Sequence, residues 1–330
     1  MTSIEIAFVS TQQEAEEFKK RGYCPIECAF GQNSVVDDLK MDHHGKDFGH
    51  LESVAIRAYR DFYAARKDNP YFIVNHIDAD NMFAIASLAR IVPHPQNPTN
   101  NKDLTGLAQT IAIMDTDPIG RNVLDLEGGD ILTIWRSLYD KMNTDALTAI
   151  SAIYEWRTLT LSPGTVRFSE TAKQMVLKKK VTSVKEMQTK GRKDGNIFIL
   201  SGTTVSGFNE WYDRNMDEDP HTIRGWKNPV VACLSAEWNS ISIGCPNTQI
   251  AEELFGHGGL SNVFNRLNEN EKYKNAGGFG GHAFVGGSPR GMTATEDDLK
   301  EVVKVVNNLI TEKNRNNMHC FCQTDCNTHN

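Results

Sequence analysis

YFIVNHIDADNMFAIASLARIV, residues 71–92, decides how the rest of the chain is read. Tyr71 to Val74 form a short apolar run rich in strand formers, residues 75–81 are polar and acidic, and residues 82–92 return to an apolar helical composition. The order is strand, acidic loop, helix. IEIAFVST (4–11) followed by QQEAEEFKKRG (12–22) gives a strand and a polar helix in the same way. PIECAF (25–30) reads as a second strand, leading through the loop VVDDLKMDHHG (35–45) to a helix in residues 50–66, where Leu51, Val54, Ala55 and Ala58 share one face. LAQTIAIMDTDPIG (107–120) reads as a further strand ending in an acidic loop. This alternation predicts an α/β domain, a parallel sheet with helices on both faces, whose polar loops share the edge beyond the carboxyl ends of the strands.

The remainder is organised differently. Residues 151–195 read as a helical, basic connector carrying Lys178, Lys179, Lys180, Lys185, Lys190, Arg192 and Lys193. Such a run is more often a solvated helix face than a binding surface. Shorter strands at NIFILSG, PVVACLS and SISIGC, the glycine-dense GGFGGHAFVGGSPRG and a helix starting near Thr295 make residues 196–312 a second, smaller α/β domain. Residues 1–150 are then the first domain, and 313–330 are expected to be a flexible tail without apolar period.

Composition narrows the function. With 39% hydrophobic and 23% charged residues, the 330-residue chain is a globular mixture large enough for two cores. No apolar run reaches the roughly 18 to 20 residues that span a bilayer, and the first residues lack a signal-peptide pattern, so no membrane association and a cytoplasmic address are expected. Seven cysteines are an odd number, which fits reduced thiols better than a disulfide framework. Cys320, Cys322, Cys326 and His329 match no standard zinc spacing. A net charge of -7 argues against a stable complex with long nucleic acid and favours a short phosphorylated substrate. Self-association into a homodimer stays open.

Four clusters carry candidate chemistry. Asp42, His43 and His44 set two imidazoles beside a carboxylate, which suits a metal site but by itself also fits a surface loop. His76, Asp78 and Asp80 alternate directly after a strand, so in an extended segment the three side chains project the same way. Carboxylate oxygens with imidazole nitrogens suit Mn²⁺, Mg²⁺ or Zn²⁺ rather than a thiolate metal. The competing account of this stretch is a helix N-cap by Asp80 or Asn81. Asp115 and Asp117 follow a third apolar run, Asp115 as a candidate ligand and Asp117, before Pro118, equally explicable as turn chemistry. Asp37 and Asp38 are balanced between ligand and solvated loop. Separately, seven of the fifteen residues 277–291 are glycine, which lets backbone amides turn toward an anion, with His282 and Arg290 able to add charge-assisted bonds.

MDHHG together with NHIDADNMFAIASLA resembles the DHH phosphoesterase superfamily, and GGFGGHAFVGGSPR is similar to the glycine-rich motif of its associated DHHA1 domain. The resemblance covers about two thirds of the chain, with specificity confined to the three motifs. It implies a metal-dependent phosphoesterase with two divalent cations, Mn²⁺ first and Mg²⁺ second. His43, His76, Asp78, Asp80 and Asp115 would be metal ligands, and His44 with Asp42 would be catalytic. Gly280, Gly281, His282 and Arg290 would hold substrate phosphate. Two departures stand out: DHH precedes the HIDAD motif here, a permuted order, and Asn81 occupies a position where Gly is usual. The implied substrate is a phosphodiester in a short oligonucleotide or nucleotide. The alternatives are a phosphomonoester on a small metabolite or a non-catalytic nucleotide-binding protein.

Overall fold

The computed structural model describes residues 3–324 except 31–32, 37–38, 45–47, 67, 119–120, 140–144, 162–165 and 290–291, and leaves out the side chains of 166–168 and 316–324. The chain forms two compact units that divide at Lys178/Lys179.

In the first unit, β1 (Glu5–Phe8), α1 (Gln12–Lys20) and β2 (Cys24–Pro25) come first. A small hairpin, β3 (Ala29–Phe30) with β4 (Asn33–Ser34), and then α2 (Val54–Arg60), β5 (Tyr71–Val74) and α3 (Ala79–Leu88) follow. The sheet order is β1-β5-β2, with β5 parallel to both neighbours. Its central position explains why Phe72, Ile73 and Val74 are all buried, with no alternation between faces. α1 starts where Thr11 and Glu14 form a reciprocal capping box. Every residue of α3 is buried, including Asp80 and Asn81.

Residues 107–116, expected as a strand, belong instead to the helix α4 (Thr105–Thr116). Its buried positions are Leu107, Ala108, Thr110 and Ile111, a helical spacing that a short apolar run does not separate from a buried strand. After α5 (Gly129–Tyr139) comes α6 (Ala146–Leu161), which packs into this unit's core. Trp156 of α6 stacks on Trp135 of α5 at 4.8 Å and meets Phe83 of α3 edge-on at 5.3 Å. The division of the chain falls within the next helix, α7 (Val166–Lys190), where Lys173, Lys178, Lys179, Lys180 and Lys185 are exposed.

The second unit is built on the six-stranded sheet β10-β11-β9-β8-β7-β6. Its strands are β6 (Gly191–Asp194), β7 (Ile197–Thr203), β8 (Val231–Ser235), β9 (Ile241–Gly244), β10 (Gly280–Gly281) and β11 (Val285–Gly287). Only β7 and β8 run parallel. The glycine-rich stretch is the β10–β11 hairpin: Gly281 has φ +143°, and a Cβ there would lie 2.4 Å from the Gly286 Cα. Close backbone approach within the hairpin thus already requires glycine there. The final helix spans Glu296–Thr324, starting where Thr295 and Asp298 bond reciprocally. It continues past residue 312, where a flexible tail was expected; no Gly or Pro interrupts it. Among the described residues no helix is long and apolar enough to cross a membrane.

Beyond α3 the chain turns inward at His94, whose ring stacks on Tyr63 at 3.8 Å. The Gln96 N–H donates to its Nδ1 (3.1 Å), so the ring proton sits on Nε2 and points to the Tyr59 carbonyl oxygen (3.1 Å). Burial holds the His94 pKa below its ordinary value. The unfolded chain, near 6.5, therefore takes up the proton first, and stability present above about pH 6.5 is lost as pH falls toward the depressed folded value. Thermal midpoints between pH 7.5 and 5 are expected to fall less steeply in His94→Gln than in the wild-type chain, and parallel slopes would contradict this assignment.

Candidate metal centre

The site lies beyond the carboxyl ends of β2 and β5, the place where ligands bind in parallel sheets. At the end of β5 the chain must change from strand to helix within a few residues, and Asp78 makes that change as the N-cap of α3. Its Oδ1 accepts from the Asn81 N–H (2.9 Å) while the Asn81 Oδ1 accepts from the Asp78 N–H (3.2 Å). Asn81 also donates from Nδ2 to the His76 carbonyl oxygen (3.1 Å). The departure at Asn81 therefore has a local use: it closes a capping box that glycine could not.

Asp80 caps a different helix. Ser53, the N-cap of α2, makes no side-chain cap bond of its own. Asp80 instead accepts from the N–H groups of Val54 (3.1 Å) and Ala55 (2.9 Å) and from the Ser53 hydroxyl. These bonds leave an Oδ2 lone pair toward His43, whose Nε2 lies 3.3 Å away. The capping expected of Asp80 or Asn81 at this helix is made by Asp78 with Asn81, and Asp80 caps α2, so helix capping falls on side chains that are also candidate ligands.

In the DHH segment Asp42 is buried and accepts from the His44 N–H (2.8 Å) and the Ser34 hydroxyl. Its Oδ1 is 3.0 Å from His44 Nδ1, so the hydrogen sits on that nitrogen and Nε2 is the ring nitrogen turned away from Asp42. Burial works to raise the Asp42 carboxyl, but its bonds to His44 and Ser34 and the His44 charge outweigh it and hold the group below the usual carboxylate range. His43 is 2% exposed, and its Nε2 lies 2.7 Å from Glu27 Oε1 and 3.1 Å from Asp115 Oδ2 as well as 3.3 Å from Asp80.

Glu27 escaped the reading of the sequence. It lies two residues after β2 in the apolar run PIECAF, has a left-handed φ of +47° and is 1% exposed. A backbone bond from its N–H to the Met41 carbonyl oxygen (2.7 Å) ties its turn to the DHH segment. The available signal was an acid inside a run otherwise apolar enough to be buried. Its ligand atom comes within 4.8 Å of those of three different pairs: His43 with Asp80, His76 with Asp78, and Asp42 with His44. Burial first, then the charges of Asp80 and Asp78, raise its carboxyl well above the ordinary value, and burial likewise raises Asp115.

Acceptors outnumber donors in this cluster. One imidazole N–H cannot satisfy carboxylate oxygens from three residues at 2.7 to 3.3 Å. Apart from ion-pair contacts with His43 and His44, both oxygens of Glu27 and Oδ2 of Asp115 are buried without a hydrogen-bond partner among the described residues. Burial disfavours protonation of His43, but Asp115, Asp80 and Glu27 overcome this and raise its pKa, so a positive charge is held at the centre of the cluster. A divalent cation answers the same demand with more charge, and carboxylate oxygens with imidazole nitrogens are a donor set that could hold one. His76 contributes a second group, with Nε2 2.7 Å from Asp78 Oδ2.

Asp115 comes from the last turn of α4 rather than a strand end. Asp117 is exposed and paired with Arg121 at 2.6 Å, a local turn contact. Asp37, Asp38, Arg290, Cys326 and His329 lie outside the described residues, as do the side chains of Cys320 and Cys322. Gly280, Gly281 and His282 belong to the β10–β11 region of the second unit, where the His282 N–H donates to the Val285 carbonyl oxygen (2.7 Å) and its ring lies over Phe284.

No protein-family model matches the chain, and neither does any curated protein. Among solved structures it is similar to a pGpG-specific phosphodiesterase, PggH from Vibrio cholerae, at 11% identity and a TM-score of 0.33, over 73% of this chain and 80% of that one. At that distance the likeness bears on neither the fold nor the chemistry of this chain.

Two outcomes follow from this geometry. Mn²⁺ at about 100 times its dissociation constant is expected to raise unfolding stability by about 2.7 kcal/mol, and EDTA to reverse the gain. A thermal midpoint indifferent to both would count against a cation here. Asp80→Ala is expected to destabilise the first unit in metal-free protein by about 1–3 kcal/mol for each donor it orphans at the start of α2, measured by urea unfolding in EDTA; an unchanged midpoint would remove its capping role.

Proposed function

We propose that this protein is a metal-dependent phosphoesterase that hydrolyses a phosphodiester in a short oligonucleotide or nucleotide. The observation that carries the reading is the crowding of Glu27, Asp80 and Asp115 around one nitrogen of His43, with His76 and Asp78 alongside. A protein that needed only a folded core has no reason to bury this many acids together. Two divalent cations would be held by His43, Glu27, Asp80 and Asp115 and by His76 and Asp78, with Glu27 in reach of both groups. Bound there, they would neutralise phosphoryl oxygens and acidify the attacking water.

The protein's own side chains supply the proton path. Asp42 holds the His44 proton on Nδ1, so Nε2 accepts a proton from the water that adds to phosphorus. As the new P–O bond forms and the bond to the leaving oxygen breaks, Nε2 returns that proton to the leaving oxygen. The depressed Asp42 carboxyl remains ionised through this cycle and stabilises the transient imidazolium. Residues of the second unit, His282 with Gly280, Gly281 and Arg290, would bind the part of the substrate that does not react, as the resemblance to the DHHA1 domain implies.

The test is a panel of short RNA, short DNA, cyclic dinucleotides and mononucleotides incubated with Mn²⁺. Cleavage of a short diester is expected, and His44→Gln is expected to lower turnover about 10²–10⁴-fold while Mn²⁺ binding persists. Release of phosphate from monoesters alone would redirect the assignment to a phosphomonoesterase. Binding of nucleotides without any turnover would make it a binding protein.

A further inference from the structure

We propose that Asn75, the residue directly after β5, is a positioning residue that fixes the tautomer of His76 and ties the Glu27 turn to the segment bearing His76 and Asp78. The inference rests on the metal-centre reading for its purpose, but its geometry stands apart from it. The Asn75 Nδ2 donates to the Ala29 carbonyl oxygen at 2.6 Å, across 46 residues of chain. A carbonyl oxygen can only accept, so the amide orientation is settled and Oδ1 is the atom left facing His76. Oδ1 lies 2.8 Å from His76 Nδ1, which places the ring hydrogen on Nδ1.

The consequence appears on the other side of the ring. In the neutral imidazole, hydrogen on Nδ1 makes Nε2 a lone-pair donor, and that nitrogen lies 2.7 Å from Asp78 Oδ2. Without a cation a second ring hydrogen is shared between Nε2 and the Asp78 carboxylate, and a bound cation takes its place. Nε2 and Oδ2 are therefore presented together as a ligand pair, with Nδ1 held by Asn75 and Nε2 left to the cation. This is the arrangement by which a neighbouring acceptor orients a ligating histidine. Ala29 begins β3 two residues after Glu27, so the same amide also fixes the turn carrying the third acid of this group. Asn81 completes the hold by donating to the His76 carbonyl oxygen. A turn-forming asparagine would bond to its own local backbone; here the side chain reaches a separate hairpin on one side and an imidazole on the other.

Long-range ¹H–¹⁵N spectra of the full chain in saturating Mg²⁺ report which nitrogen of His76 carries hydrogen, and a parallel Mn²⁺ titration of the metal-free protein reports affinity. The wild-type protein is expected to show the Nδ1–H form. Asn75→Ala is expected to shift His76 toward Nε2–H and to weaken Mn²⁺ binding about 10–100-fold. Asn75→Asp, which keeps an acceptor for Nδ1, is expected to retain Nδ1–H, and it decides the matter if the alanine variant does not fold. Nε2–H in the wild-type protein, or an alanine variant with unchanged tautomer and affinity, would overturn the assignment. Absence of Mn²⁺ binding together with an Asn75-dependent tautomer would remove the metal centre while leaving Asn75 as what fixes the imidazole.

Discussion

Like charges brought together away from water repel, and the first unit is arranged around that repulsion. Two carboxylates about 4 Å apart at an effective dielectric of about 20 oppose each other by about 4 kcal/mol, and Glu27 feels both Asp80 and Asp78. In the metal-free protein the charge on His43 offsets part of this. The cluster is held together because its members come from segments that the sheet forces to meet: β2 delivers Glu27, β5 delivers His76 and Asp78, and the parallel pairing of the two strands leaves their carboxyl ends side by side.

Several residues serve structure and site at once. Asp78 and Asn81 close the start of α3, and Asp80 closes the start of α2 with an oxygen still turned toward His43. Such double use binds the geometry of the centre to helix formation, so the acids are in position as soon as the helices are. It also means that substitution of these acids changes two properties together, whereas His44 is oriented by Asp42, which Ser34 holds in turn.

The second unit shows the same economy in its glycines. The pattern that resembles a phosphate-binding loop is also what a narrow hairpin demands, since Gly281 and Gly286 face each other too closely for a Cβ. Glycine density is therefore accounted for by the hairpin itself, and any ligand would be recognised through the side chains beside it.

Much of the fold was legible because it depends on local pattern. The runs at 5–8 and 71–74 are largely apolar and β-rich, polar residues soon after them stop the strand, and the clusters at Asp42 to His44 and His76 to Asp80 stand out by spacing alone. Two features were not legible. The run before Asp115 is a helix, because a short apolar segment carries both periods equally well and only packing against α2 and α3 selects one. Glu27 is hidden in a strand-like run, because what makes it part of the centre is the register of β2 beside β5 and a left-handed turn, and neither is encoded by neighbours in sequence. The sequence by itself determined which residue types were available and where strands gave way to helices. Tertiary structure alone decided which acids share one imidazole, because strand pairing and helix capping act between segments distant along the chain.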